Sequence, residues 1–98
     1  MTISSERKGE AVTIYISGRL DTVTAPELEK AVTELPPEVT ALTLDMTGLS
    51  YISSAGLRVL LGAQKKMNKI GSMELRGVCV AVLGVLEMTG FADFMVIE

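Results

Sequence analysis

The chain has 98 residues, which suits one domain (1–98) and leaves no room for two independent cores. Hydrophobic residues make up 48% and the net charge is −3 at pH 7, so disorder and a nucleic-acid partner are both disfavoured. Histidine is absent and Cys79 is the only cysteine, which removes imidazole chemistry and any intramolecular disulfide.

The opening residues, Met1 to Lys8, carry no apolar signal core, and no stretch reaches the roughly 18 apolar residues of a membrane span. A cytoplasmic protein with no membrane partner is expected. Thr2–Ser5 reads as a short strand turning at Lys8-Gly9-Glu10. Val12–Ser17 alternates apolar and polar, a strand with Val12, Ile14 and Ile16 on one face. Gly18 follows as a bend. Thr24-Ala25-Pro26-Glu27 has the form of a helix start: Thr24 can cap, Glu27 can complete a capping box, and Pro26 is tolerated in the first turn. Ala25, Leu28, Val32 and Leu35 then form one apolar stripe, and Pro36-Pro37 stops the helix.

Ala41–Met46 alternates again, with Leu42, Leu44 and Met46 together. Gly48–Ile52 reads as a connecting loop that can regain extended structure. A second helix runs from Ser53 or Ser54 to Asn68. Its apolar face holds Leu57, Leu60, Leu61 and Met67; Lys65, Lys66 and Lys69 decorate the rest as a solvated face. Gly71 ends it. Ser72–Arg76 is a further strand, extending toward Val78. Cys79 lies in an apolar run and reads as a core thiol. Ala81–Met88 is helical, with Gly90 as its stop, and Phe94–Ile97 supplies a last strand. The order ββαβαβαβ implies an α/β fold: a mixed sheet of about five strands with about three helices, the strands flanking each helix running parallel.

The two serines at the second helix start draw attention. Ser53 is a natural N-cap, and Ser54 can point outward while Ser53 caps. A phosphate there would meet free backbone N–H groups and the positive end of the helix dipole. Capping alone also accounts for serines at such a place. Asp21 can satisfy N–H groups at a turn. Gly56 and Gly62 can be close-packing points, although helical glycine costs about 1 kcal/mol relative to alanine. Arg58, four residues from Ser54, is placed to meet a partner carboxylate or a phosphate. Enzyme chemistry finds little to work with: no histidine, no paired thiols, no phosphate-cradling glycine loop, and no identifiable acid/base spacing between Asp21 and Asp45. No cofactor or metal is expected.

Gly18-Arg19-Leu20-Asp21-Thr22-Val23-Thr24-Ala25, followed by Tyr51-Ile52-Ser53-Ser54-Ala55-Gly56-Leu57, resembles the STAS domain, specifically the single-domain bacterial anti-sigma factor antagonists. Leu86-Glu87-Met88-Thr89-Gly90-Phe91 is similar to the family's third-helix ending. The resemblance covers essentially the whole chain and implies the STAS-like fold. It places Ser54 at the family's phosphoacceptor, with Ser53 as the alternative acceptor. Ser53 stands where the family carries Asp, and Ala55 replaces its second Ser/Thr. The partner-binding surface it implies comprises Asp21, Thr22, Thr24, Ser53, Gly56, Leu57 and Arg58. The implied partners are an anti-sigma factor that is also a serine kinase, and a PP2C-type phosphatase; the free protein is expected to be a monomer. The competing reading is a STAS-type scaffold without phosphorylation, or a domain that senses a nucleotide or small metabolite.

Overall fold

The computed structural model describes residues 1–98. Strand β1 (Thr2–Lys8) pairs antiparallel with β2 (Ala11–Leu20). Helix α1 (Ala25–Thr33) leads to β3 (Ala41–Ile52), α2 (Ser54–Ile70) to β4 (Ser72–Arg76), and α3 (Val80–Met88) through a 3₁₀ turn (Phe91–Asp93) to β5 (Val96–Ile97). β2 to β5 run parallel, and the sheet order is β1-β2-β3-β4-β5.

Strand order therefore equals chain order. Parallel crossovers of one hand that always step the same way place their helices on one face. That face is the core. Val12, Ile14 and Ile16 of β2, Leu42, Leu44 and Met46 of β3, and Met73 and Leu75 of β4 are buried in one cluster with Leu28 and Val32 of α1, Leu60 and Met67 of α2, and Val82 and Leu86 of α3. The other face has no covering helix and is polar. There Arg76 donates from Nε and Nη2 to Asp45 Oδ2 at 3.1 and 3.0 Å, and Tyr15 is exposed. No helix is long and apolar enough to cross a membrane.

Three elements depart from the sequence reading. Gly48–Ile52, expected as a connecting loop that can regain extended structure, is extended throughout: it is the end of β3, which runs unbroken to Ile52. The register against β2 slips between Tyr15 and Ser17 and again between Gly18 and Arg19, so β3 absorbs extra residues as bulges. Leu61 is only half-buried; Val59, Ala63 and Gln64 complete the inner face of α2 instead. Phe94 and Met95 lie outside the last strand, which keeps only Val96 and Ile97.

Candidate functional site

Leu20 and Ile52 are register partners at the ends of β2 and β3. The loop after Leu20 and the start of α2 after Ile52 are therefore neighbours on one rim of the sheet. The Ser53 N–H ties them by donating to the Leu20 carbonyl at 2.9 Å.

On the first loop, Asp21 Oδ1 accepts from the N–H groups of Val23 at 3.0 Å and Thr24 at 3.1 Å. The Thr24 hydroxyl accepts the Asp21 N–H at 2.9 Å and donates to the Arg19 carbonyl at 2.7 Å, with Asp21 Oδ1 also 3.1 Å away. These bonds, the Thr24 N–H first, hold the Asp21 carboxyl below the usual carboxylate range. The capping box expected from Thr24 and Glu27 does not form: Thr24 precedes α1 but makes no side-chain cap bond. Its hydroxyl is already committed to Arg19 and Asp21, and Asp21 takes over the N–H groups at the turn. Thr22 is exposed and Thr24 half-buried.

On the second segment the two serines divide. Ser53 is the N-cap of α2, in extended conformation, and its Oγ accepts the Gly56 N–H at 3.4 Å. Ser54, the next residue, is exposed, and its hydroxyl has no hydrogen-bond partner in the chain. Arg58 is exposed one turn further on and makes no ion pair. Gly56 and Leu57 correct the expectation of a seven-residue contact surface, because both are buried. Position 56 faces inward beneath Leu20 and Ile52, where even a Cβ would come within 2.9 Å of Ile52 Cγ1. Their part is to seat the helix start, while Ser54 and Arg58 face out.

One feature of the rim escaped the sequence reading. The Arg19 guanidinium lies over the Tyr51 ring, 4.0 Å from its centroid. The two residues are register partners, a relationship that exists only because Tyr51 belongs to β3. Asp21, Thr22, Arg19, Tyr51, Ser53 and Ser54 are thus carried on adjoining strand ends. No group of three or more His, Cys, Asp or Glu side chains is arranged to hold a metal ion. Cys79 is half-buried where α3 begins and caps nothing with its side chain.

The STAS domain family model matches residues 2–98. The anti-sigma-B factor antagonist of Listeria monocytogenes is 32% identical over 95% of this chain and 83% of its own length. Among solved structures, an anti-sigma factor antagonist from Mycobacterium paratuberculosis superposes with a TM-score of 0.84 at 26% identity, covering 99% of this chain and 84% of that one. The anti-sigma factor antagonist SpoIIAA in its unphosphorylated form gives 0.79 at 21% identity, covering 99% and 88%. SpoIIAA described as a Bacillus cell fate determinant in the phosphorylated form gives 0.70 at 20% identity, covering 99% and 91%.

Proposed function

The chain belongs to the STAS domain family, and from that premise we propose that it is an anti-sigma factor antagonist switched by phosphorylation of Ser54. The unphosphorylated form binds an anti-sigma factor that is also a serine kinase. Phosphorylation by that kinase breaks the complex, and a PP2C-type phosphatase restores binding.

The observation that carries this reading is the division of labour between the serines. Ser53 supplies the cap, so the exposed Ser54 hydroxyl is free to be modified without removing a bond the fold uses. The magnitudes suit a switch. A negative group at a helix N-terminus gains about 0.3–1 kcal/mol from the helix dipole, so the domain itself accepts the phosphate. Weakening an affinity from nanomolar to micromolar takes about 4 kcal/mol. Leaving a charge of roughly −1.5 to −2 unpaired in a protein interface costs about 2–5 kcal/mol or more. One phosphoryl group can therefore dismantle the complex while the fold persists. The same fold occurs in SpoIIAA in both phosphorylation states, which supports an architecture that tolerates the modification.

The test is intact-mass analysis after incubation with the anti-sigma factor kinase and ATP, comparing wild type with Ser54→Ala and Ser53→Ala. Wild type and Ser53→Ala should gain one phosphoryl mass and Ser54→Ala none. A gain that survives in Ser54→Ala and disappears in Ser53→Ala would move the acceptor to Ser53.

A further inference from the structure

Helix α2 holds Arg58, Lys65, Lys66 and Lys69, four of the nine basic residues of the chain, and none of its twelve acids. The protein as a whole is acidic, yet none of these four cations pairs with a carboxylate. Lys66 donates to the Val32 carbonyl at 2.8 Å, near the end of α1, which leaves its other two protons free. Arg58, Lys65 and Lys69 stand exposed.

Gly62 lies on the same side of this helix. Ser54, Arg58 and Gly62 follow one another at intervals of four, so they share a face and each lies about one turn above the last. Gly62 is exposed in mid-helix, and an added Cβ there would meet nothing within 4 Å. Glycine at such a place costs about 1 kcal/mol relative to alanine, and nothing in the domain requires it. A missing side chain with open space above it permits close approach by something outside. The opening is shaped: Arg58, Gly62 and Lys66 form one lip of a groove of about 230 Å³ between α1 and α2, and Glu29 and Thr33 stand on the opposite side.

We propose that this groove is a docking track for an acidic segment of the anti-sigma factor, laid along α2 across Gly62 and reaching the phosphorylation site at Arg58. The inference rests on the reading of Ser54 given above and extends it. The track runs about 18 Å from Ser54 to Lys66 at the helical rise of 1.5 Å per residue. Its charge favours carboxylates on the α2 side. Glu29 on the other lip, in a chain of net charge −3, disfavours a polyphosphate backbone and suits a protein segment that presents carboxylates on one side and donors on the other. Arg58 then serves both states. It pairs with a partner carboxylate when Ser54 is free, and with the phosphate one turn away when Ser54 is modified. Phosphorylation both adds repulsive charge and withdraws a cation from the track.

The experiment is calorimetric titration of the full chain with the anti-sigma factor of the same organism, at low and high salt, alongside thermal midpoints. Gly62→Leu should weaken binding by roughly tenfold or more without lowering the midpoint, because its Cβ enters open space and the rest of the side chain occupies the track, while the helix loses a glycine. Gly62→Ala controls for helix propensity and should raise the midpoint. The pair Lys65→Glu and Lys69→Glu should weaken binding at low salt and flatten its salt dependence. Binding that Ser54→Asp abolishes but these variants leave unchanged would overturn the track and keep the switch. No binding by the wild type would overturn the switch, and the track with it. A short DNA duplex bound with the same lysine dependence, in place of the anti-sigma factor, would overturn the assignment of a protein partner.

Discussion

Gly56 packs so closely over Leu20 that a Cβ at position 56 would stand 2.7 Å from Leu20 Cγ and 3.0 Å from the Leu20 carbonyl oxygen. That carbonyl already accepts the Ser53 N–H. The end of β2 and the first turn of α2 are thus locked to one another through a position with no side chain, and the orientation of Ser54 depends on the lock.

Gly56→Ala should therefore destabilise the fold, although alanine is the better helix former. Overpacking costs about 1–3 kcal/mol, against a propensity gain of about 1 kcal/mol. Urea denaturation should show a lower midpoint with an unchanged slope. An equal or higher midpoint would mean that the two elements separate more easily than their contact implies.

The serines should behave differently when truncated. Ser53→Ala removes the cap on Gly56 and should cost about 0.5–1 kcal/mol, the lower part of the usual range, since the bond is long at 3.4 Å. Ser54→Ala removes an unbonded surface hydroxyl and should stay within about 0.5 kcal/mol of wild type. Chemical denaturation of both variants in one buffer distinguishes them.

Ser54→Asp places a carboxylate in the first turn of α2, a turn that otherwise contains no acid. The thermal midpoint should hold or rise slightly, by the equivalent of about 0.3–1 kcal/mol. Binding to the anti-sigma factor should fall. A collapse of stability instead would show that position 54 is part of the structural cap.

Asp21 makes a pH-dependent contribution whose sign follows from its lowered carboxyl. The folded state favours the ionised form, so the stabilisation is fully present above the ordinary carboxylate value of about 3.9 and is lost as pH falls through the lower folded value. The stability difference between wild type and Asp21→Asn should thus shrink on acidification. A difference that stays constant from about pH 6 to pH 2 would exclude ionisation of Asp21 as its source.

Gly77, just after β4, has φ +70° and lies against Thr47. Gly77→Ala should cost about 1–3 kcal/mol in backbone strain. It should also disturb Thr47, whose hydrogen bonds, with those of Arg76, hold the Asp45 carboxyl low. An upward shift of the Asp45 titration followed by carboxyl NMR would report that second effect separately.

The element order was legible in the sequence because each apolar period points at the one core face. Val12, Ile14 and Ile16 alternate, and Leu28 and Val32 recur at helical spacing. The end of β3 was not legible for a definite reason. Its buried residues there are Met46, Leu49 and Ile52, at intervals of three. Two bulges convert the strand's period of two into that spacing, which resembles neither a strand nor a complete helical stripe. The Arg19–Tyr51 stack was lost with it. Ser53, Ser54 and Arg58 were found where expected, because capping chemistry and helical spacing are local. The burial of Gly56 and Leu57 was not, because it depends on Leu20 and Ile52 arriving from two strands. The Thr24 capping box failed similarly, since its hydroxyl accepts the Asp21 N–H and donates to the Arg19 carbonyl, and it caps no helix N–H.

A sheet whose strands lie side by side in the order of synthesis has a consequence for how the chain assembles. Each parallel pair closes a loop of only one helix and its connections, and the entropy of closure grows slowly with loop length. No strand must wait for a distant segment to be threaded between its neighbours. Successive hairpin and crossover units can join a growing edge one after another, so the topology permits folding to advance from the amino terminus as the chain emerges.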